Sequence, residues 1–429
     1  MNKTVAFFTL GCRVNQYETA AMEDLFKNQG YRIGSFDSPA DVYVVNTCAV
    51  TAESERKCRQ ILRRAKKTNP NAIVAAVGCM VQASKDSILA MNDIDVVVGV
   101  SQKHNIVDAV ESKMQKPCLI EEMANVHDYQ EMKISSFDER DRAFVKIQDG
   151  CDRFCSYCII PYLRGRVRSR KPDDILNEIE LLSEKGFREI VLTGIHVASF
   201  GRNTEHTLGR LIRDVAEING VERIRLSSID PTAFTDELLE TYHSIDKFCP
   251  QFHISLQSGS DAVLKRMNRK YSTDEYALVV DKLRKIKPLT AITTDIITGF
   301  PGETDDEFQE TLAFAERIRF SGIHVFPYSE RQGTVAAKME GQVPKHIRAM
   351  RAKILIEKAA ELKEEYAKKF IGTVQEVLFE HKGELASGFT PHYLRVNVPE
   401  ISDPSSLFGK IAPVLISRME GENLYGKIQ

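Results

Sequence analysis

Short apolar runs alternate with helical stretches over the first quarter of the chain. Four runs have the length and apolar content of buried strands: 5–10, 42–45, 73–77 and 94–98. Four stretches show helical periodicity: 16–29, 53–67, 81–91 and 103–114. This alternation predicts an open parallel α/β layer structure that fills about one domain, residues 1–115. It also explains the apolar run at 5–10 better than a signal peptide does, because the run is too short for a signal-peptide core.

Three cysteines occupy equivalent places in successive strand–helix units. Cys12, Cys48 and Cys79 each follow a predicted strand within three residues. The carboxyl ends of parallel strands share one edge, where ligands bind, so these thiols are expected to lie close together. Each could instead be an ordinary small buried residue. Three in equivalent positions favour a metal or cluster site. The cysteines that lack this placement are expected to be ordinary structural residues: Cys58, Cys118 and Cys249.

The alternation restarts near residue 141 after a stretch with little periodicity. Residues 116–140 are interpreted as an inter-domain linker, with an added strand at 118–120. Six further strands are predicted, with helices between them: 144–147, 190–193, 223–227, 252–256, 292–297 and 323–326. They fit a partial parallel (β/α)6 barrel over residues 141–368. Several strand ends lead into glycine-containing segments, which favours a ligand pocket at that rim, although a tight turn explains any single glycine.

The C-terminal part changes pattern. Lys345–Phe370 reads as one long helix with eight Lys or Arg against four Glu, a charge content that fits a solvated face. Short alternating strands follow at 374–379, 393–398 and 411–416, which predicts a small OB-like β-barrel over residues 369–429. From Ile371 onward there are five Lys or Arg and seven Asp or Glu, so charge alone does not predict an RNA-binding segment.

Composition narrows the class of protein. The chain has 429 residues, 43% apolar and 28% charged, and a net charge of −2, so a nucleic-acid site would have to be a local patch. Nine cysteines are too few and odd in number for a disulfide scaffold, which favours a reduced compartment. No apolar run is long enough to cross a membrane, so we expect a cytoplasmic protein without membrane association.

A cysteine triplet carries the strongest chemical signal. Cys151, Cys155 and Cys158 follow a predicted strand at Cys-x3-Cys-x2-Cys spacing. Soft thiolates favour an iron–sulfur cluster, zinc or a cuprous ion. A structural zinc site normally has a fourth Cys or His, and none follows here, so we expect no zinc. A redox dithiol or zinc knuckle is the alternative for part of the motif. Three ligands on a four-iron cluster leave one iron open for a ligand that is not protein.

A basic cluster follows the triplet. In an extended segment its alternating arginines would share one side, as phosphate-binding arrays do. Ion pairing with acidic loops of the same protein is an equally good explanation. The candidate RNA-contacting residues are Arg164, Arg166, Arg168, Arg170 and Lys171.

These motifs resemble the methylthiotransferase family of radical S-adenosylmethionine (SAM) enzymes over essentially the whole chain. The resemblance rests on the segments 9–18, 46–50, 78–82 and 147–170, and the end of the chain resembles an RNA-binding TRAM domain. The run Gly11–Glu18 is similar to the branch that modifies N6-threonylcarbamoyladenosine (t6A) at position 37, next to the tRNA anticodon. At His196 we would expect Asn or a similar polar residue, which leaves the role of His196 open.

The resemblance implies two [4Fe–4S] clusters. Cys151, Cys155 and Cys158 would hold the cluster that reduces SAM to a 5′-deoxyadenosyl radical. An auxiliary cluster would be held by the other three cysteines and would present sulfur. SAM would serve as methyl donor and as radical source, because cofactors carry chemistry as difficult as replacing an adenine C2–H. The candidate SAM-contacting residues are Tyr157, Thr193, Gly194, Gln257, Asp295 and Gly299.

The implied partners are the tRNA anticodon loop and an electron donor such as flavodoxin or ferredoxin. Two alternatives stay open at the level of sequence. A methylthiotransferase for isopentenyladenosine tRNA or for a ribosomal-protein aspartate would share every cysteine. A non-enzymatic iron–sulfur electron carrier would share the clusters but would not need the glycine-containing rim.

Overall fold

A computed structural model describes residues 3–112, 114, 116–134, 141–202, 204–381, 385–401 and 403–429. The chain forms two compact units. The first comprises the described residues of Met1–Phe137, Lys146–Arg170 and Ser329–Ala337. The second comprises those of Asp138–Val145, Lys171–Tyr328 and Lys338–Gln429. Within the described residues, no helix is long and apolar enough to cross a membrane.

A parallel sheet forms the centre of the first unit. Its strands are β1 (Thr4–Thr9), β2 (Arg32–Gly34), β3 (Val42–Thr47), β4 (Ile73–Gly78), β5 (Val96–Val98) and β6 (Cys118–Leu119). Their order is β2-β1-β3-β4-β5-β6, and every recorded pairing is parallel. The helices are α1 (Arg13–Asn28), α2 (Ala52–Thr68), α3 (Cys79–Ala83), α4 (Lys85–Leu89) and α5 (Ile106–Glu111). The predicted parallel layer is confirmed, with β2 as an addition.

Apolar residues on both faces of this sheet explain why it folds. All six residues of β3 are buried, and both faces of the sheet carry a hydrophobic cluster. Such continuous apolar strands are typical of parallel sheets covered on both sides. The described part of the predicted linker packs into this unit, because Met123, Val126 and Ile134 are buried. Residues 113, 115 and 135–140 of the predicted domain and linker lie outside the described residues.

Strands and helices alternate through the middle of the chain. The elements are β7 (Arg142–Asp149), α6 (Ile160–Arg164), β8 (Arg168–Ser169), α7 (Pro172–Glu184), β9 (Glu189–Gly194), α8 (Leu208–Ala216), β10 (Arg223–Leu226), α9 (Asp236–Ser244), β11 (Gln251–His253), α10 (Asp261–Arg266), α11 (Thr273–Ile286), β12 (Ala291–Thr298), α12 (Asp305–Ile318), β13 (Gly322–Pro327) and α13 (Lys345–Lys368). The sheet orders are β10-β9-β7-β8 and β11-β12-β13, and β9, β10 and β11–β13 pair in parallel. Single parallel bridges join Ile224 to Phe248 and Ile229 to Ile254, so the two sheets continue into each other as a partial barrel.

The chain ends in a small closed barrel. Its strands are β14 (Val374–Phe379), β15 (Ala386–Phe389), β16 (Arg395–Val398), β17 (Ile411–Glu420) and β18 (Asn423–Ile428), in the order β14-β15-β16-β18-β17. The predicted OB-like barrel is confirmed, although β15 and β18 were not predicted. Arg223 at the start of β10 donates hydrogen bonds to the carbonyl oxygens of Phe389 (2.9 Å) and Glu376 (2.7 Å), which holds this barrel against the amino ends of the neighbouring strands.

Candidate metal centres

Three cysteines meet at one edge of the first unit's sheet. Cys12 directly precedes α1, Cys48 directly follows β3, and Cys79 begins α3 directly after β4. The strands before them, β1, β3 and β4, are neighbours in the sheet. Burial raises the pKa of the Cys48 thiol, and the nearby thiols of Cys79 and Cys12 raise it further. The structure thus places the three cysteines at the ends of neighbouring strands, and their role as ligands stays a prediction.

A glycine keeps space beside these thiols. Gly11 has φ +107°, a backbone conformation that side chains rarely adopt. A Cβ added there would lie 3.0 Å from Cys48 Cβ and 3.1 Å from Cys48 Sγ. Three soft sulfur ligands at an uncrowded sheet edge fit an iron–sulfur cluster with one iron left open.

A fully buried arginine connects this edge to the loop after the cysteine triplet. Arg164 donates to Glu18 Oε1 at 2.9 Å and to Asp149 at 3.1 Å. Lys146 Nζ contacts Glu18 (2.8 Å) and Asp149 (2.6 Å), and Lys103 Nζ contacts Glu18 Oε2 (2.5 Å). Burial alone would raise the pKa of Glu18, but these three cations hold it well below its usual range. We call these five residues the ionic network.

The ionic network positions the turns that carry two of the cysteines. Arg164 Nη2 donates to Asn15 Oδ1 at 2.9 Å, and Asn15 Nδ2 donates to the carbonyl oxygens of Leu10 (2.7 Å) and Thr47 (3.1 Å). These carbonyls lie two residues before Cys12 and one before Cys48. In the sequence, Asn15 and Glu18 are only part of a family motif. Their structural role could not be predicted because it depends on Arg164, which is 149 residues from Asn15 and 146 residues from Glu18.

The cysteine triplet forms a tight loop in the same unit. The Cys158 N–H donates to the Cys155 carbonyl at 2.9 Å, and the Cys151 N–H donates to the Gly165 carbonyl at 3.0 Å. Cys155 is buried, while Cys151 and Cys158 are half-buried. Burial raises the pKa of Cys151 to about 11, and the neighbouring Cys155 thiol adds to the rise. Three thiols held by one short loop fit the predicted three-ligand cluster.

The residue before the triplet explains how the loop leaves its strand. Gly150 has φ +75°, and a Cβ at this position would lie 1.8 Å from the Arg166 carbonyl oxygen. Only glycine fits such a close approach of two backbone segments. Tyr157, one of the candidate SAM-contacting residues, is half-buried within the loop.

The other candidate SAM residues lie in the second unit. Thr193 and Gly194 end β9, and Gly299 directly follows β12. Gln257 has φ +76° and its N–H donates to the Asp295 carbonyl at 2.9 Å. These four lie at or near carboxyl ends of parallel strands, whereas Asp295 lies within β12. What they bind stays a prediction.

The basic cluster is mostly internal, which corrects the picture of an extended phosphate-binding array. Arg164, Arg168 and Arg170 are buried, and Arg170 pairs with Glu131 (Nε to Oε1 2.9 Å). For these three residues the structure favours the ion-pairing alternative. The Arg166 side chain is 70% exposed and Lys171 is also exposed, so only these two present their charge at the surface.

Two family models match separate parts of the chain. Residues 145–315 match the radical SAM superfamily, and residues 4–99 match an uncharacterized protein family, UPF0004. Solved structures show a similar fold. The radical SAM methyltransferase TsrM from Kitasatospora setae has a TM-score of 0.55 at 14% identity, covering 79% of this chain and 77% of TsrM. The cobalamin-dependent enzyme OxsB has a TM-score of 0.52 at 13% identity, covering 85% of this chain and 56% of OxsB.

Curated relatives match nearly the whole chain. The threonylcarbamoyladenosine tRNA methylthiotransferase MtaB of Bacillus subtilis is 40% identical over 96% of this chain and 93% of that protein. MtaB of Thermotoga maritima is 40% identical over 92% of this chain and 91% of that protein. The tRNA-2-methylthio-N6-dimethylallyladenosine synthase of Thermoanaerobacter is 37% identical over 98% of this chain and 91% of that protein. The resemblance seen in the motifs is thereby confirmed, and the chain belongs to the radical SAM methylthiotransferase family of enzymes.

Proposed function

We propose that this enzyme replaces the C2 hydrogen of N6-threonylcarbamoyladenosine at position 37 of tRNA with a methylthio group. The observation that carries the proposal is the nearly full-length similarity, at 40% identity, to proteins named for threonylcarbamoyladenosine. The Gly11–Glu18 motif, which resembles that branch, supports the same substrate. Position 37 lies in the single-stranded anticodon loop, so its base is accessible without opening a duplex.

Two [4Fe–4S] clusters and SAM are the cofactors of this enzyme family. We assign one cluster to Cys151, Cys155 and Cys158. The other cluster is assigned to the three cysteines at the sheet edge, Cys12, Cys48 and Cys79. When bound, these groups supply a SAM-derived radical that removes the C2 hydrogen, and sulfur that takes its place. The donor sets support the assignment because each supplies three thiols and no fourth protein ligand is needed.

The contribution of the chain itself is positioning. The ionic network fixes α1, the end of β3 and the loop after the triplet in one unit through buried, charge-assisted hydrogen bonds. Because these contacts are buried, they keep the cysteine-bearing turns in one arrangement and exclude water from their base. Preorganised sites of this kind do not have to rearrange during the reaction.

SAM and RNA contacts are assigned on position. Tyr157, Thr193, Gly194, Gln257 and Gly299 are proposed to contact SAM, since the last four lie where ligands bind in parallel barrels. Asp295 lies within β12, before its carboxyl end, and is not assigned to SAM.

RNA contacts are assigned on exposed charge. Arg166 and Lys171 are proposed to contact phosphates of the anticodon arm, because they present their charge at the surface. An electron donor such as flavodoxin or ferredoxin would supply reducing electrons. A tRNA substrate implies a cytoplasmic location.

The test uses enzyme reconstituted without oxygen and three anticodon stem-loop RNAs of one sequence. The RNAs carry threonylcarbamoyladenosine, dimethylallyladenosine or adenosine at position 37. After incubation with SAM, reductant and a sulfide source, nucleosides are analysed by mass spectrometry. We expect a methylthio group on the threonylcarbamoyl RNA alone. Modification of only the dimethylallyl RNA would instead support the activity named for the Thermoanaerobacter relative.

A further inference from the structure

Three polar side chains of the second unit gather on neighbouring strands. His253 lies on β11, Asp295 on β12 and His324 on β13. In the strand register His253 pairs with Thr293, and Asp295 pairs with His324. Paired residues and alternate residues of a strand point to the same face, so all four side chains share one face of the sheet. The polar atoms of the two histidines and Asp295 lie within 4.8 Å of one another. We call these three residues the polar trio.

The ring of His253 has hydrogen-bonding capacity that the described part of the protein does not use. His253 Nδ1 lies 3.1 Å from Thr293 Oγ1, which fixes the ring. His253 Nε2 lies 3.3 Å from Asp295 Oδ2, yet it is buried and makes no hydrogen bond with any part of the chain that the structure describes. Buried polar atoms in proteins nearly always have a hydrogen-bond partner, so a ligand group is expected at this position.

The position of the polar trio shows which side of the barrel it serves. The alternate residues of β12, Ile292, Thr294 and Ile296, are buried on the opposite face. Asp295 is only half-buried and His324 is exposed, so the polar trio lies on the more open face of these strands. Asp295 is four residues before Gly299, which places it about 13 Å below the rim at 3.3 Å per residue.

The layer beneath the polar trio is closed. Arg225 Nε donates to Glu189 at 2.8 Å and its Nη1 donates to Gln251 at 2.9 Å, and all three side chains are buried. Arg225 also donates to the carbonyl oxygen of Pro391 in the C-terminal segment at 3.1 Å. A group that enters between the strands from their carboxyl ends therefore meets the polar trio before it meets this sealed layer.

We propose that the polar trio binds the threonylcarbamoyl group of the substrate base and so selects that base. This inference rests on the proposed function. The group carries ureido N–H donors, a hydroxyl and a carboxylate. Asp295 is suited to accept from the N–H and hydroxyl groups, and the imidazoles of His253 and His324 are suited to donate to the carboxylate and the carbonyl.

The same chemistry explains discrimination against the alternative base. A dimethylallyl group is apolar and would leave the atoms of the polar trio without partners. Sites built to hydrogen-bond a substrate reject analogues that lack the polar group much more strongly than apolar pockets reject an extra polar group. The polar trio would thus separate two substrates whose enzymes are similar in sequence over nearly the whole chain.

The experiment measures RNA affinity of the reconstituted enzyme by fluorescence anisotropy without oxygen. His253→Ala and His324→Ala are compared with His243→Ala, a control at an exposed histidine on α9. We expect each of the first two variants to bind the threonylcarbamoyl stem-loop about tenfold more weakly, the size of one hydrogen bond to a charged group. Affinity for the adenosine stem-loop should stay unchanged, as should every affinity of the control variant.

Three outcomes would overturn the inference. If wild type methylthiolates the threonylcarbamoyl RNA but both histidine variants bind it as wild type does, the proposed function stands and the polar trio has no role in recognition. Equal weakening toward both RNAs would indicate a structural role. Two imidazoles and a carboxylate can also bind a divalent metal. A zinc, manganese or cobalt ion found in wild type by elemental analysis, and lost in His324→Ala, would replace direct recognition with a metal site.

Discussion

The complete burial of Arg164 allows a quantitative test of the ionic network. The perturbation is Arg164→Met, which keeps length and apolar contacts but removes the guanidinium. Arg164 is completely buried and donates to Glu18, Asp149 and Asn15. Its loss leaves two buried carboxylates with fewer cations, and removing one partner of a buried ion pair typically costs 3–5 kcal/mol.

The lower end of that range applies here. Lys146 contacts both carboxylates and Lys103 contacts Glu18, so neither carboxylate becomes wholly unpaired. We therefore expect a loss of about 3 kcal/mol in the free energy of unfolding. With a urea dependence of about 2–3 kcal/mol per molar, this corresponds to a midpoint shift of about 1–1.5 M.

The assay is urea unfolding of the apoprotein followed by circular dichroism, with iron content measured after reconstitution of folded protein. Arg166→Met is the matched control, because Arg166 is two residues away but largely exposed, and its ion pair with Asp152 is long, at 3.4 Å. An exposed ion pair contributes about 0–1 kcal/mol, so this variant should shift the midpoint by less than about 0.5 M. Arg164→Met should also bind less iron, since it disturbs the turns that carry Cys12 and Cys48.

Equal urea midpoints for the two variants would refute the argument that burial makes Arg164 structural. For tRNA binding we expect the reverse, with an effect of Arg166→Met and none of Arg164→Met. Arg166→Met should lower the salt dependence of binding by about one phosphate contact, and Arg164→Met should leave it unchanged. A reduced salt slope for Arg164→Met in folded protein would restore it as an RNA-contacting residue.

Three further predictions concern the clusters and the C-terminal barrel. The triple variant Cys12→Ala, Cys48→Ala, Cys79→Ala should lose about one four-iron cluster per chain by iron and sulfide analysis, and unchanged iron would refute the ligand assignment. Gly150→Ala should lower the iron retained by the triplet loop, because its Cβ would overlap a main-chain oxygen at 1.8 Å; normal electron paramagnetic resonance of that cluster would contradict this. Burial lowers the pKa of His392 to about 4. Between about pH 6.5 and pH 4 this histidine is therefore protonated in the unfolded chain but neutral in the folded chain. Stability should fall by about 2 kcal/mol from pH 7 to pH 5, and His392→Gln should flatten this dependence in thermal unfolding monitored by circular dichroism.

Periodicity predicted the elements that apolar patterns alone determine. The buried strands β1, β3 and β4 and the helices α1 and α2 lie close to their predicted ranges. The short strand β15 was missed because it is only four residues long and includes Gly388, where a Cβ would lie 2.0 Å from the Leu378 carbonyl oxygen. That glycine is required by a neighbouring strand, which the local sequence does not reveal.

The candidate site divides in the same way. Cysteine spacing and strand ends were sufficient to predict which thiols gather, since topology places strand ends at one edge. Which arginines are buried could not be predicted. Arg164 and Arg166 are two residues apart in the same motif, and the acidic residues that pair with Arg164 are distant in sequence. His253 and His324 carry no motif signal, and only the register between β11, β12 and β13 brings them together.

The division of the chain into two interleaved units limits how this enzyme could be dissected or assembled from parts. The chain passes from one unit to the other five times, after Phe137, Val145, Arg170, Tyr328 and Ala337. A fragment that begins at residue 141 would contain the triplet loop and Arg164, but not Glu18, which pairs with Arg164, or Lys103, which also pairs with Glu18. Exchange of the N-terminal segment between homologues would separate the same partners. The two sets of cysteines therefore have to be kept together in one polypeptide. A gene fusion or truncation designed from sequence boundaries alone would separate them.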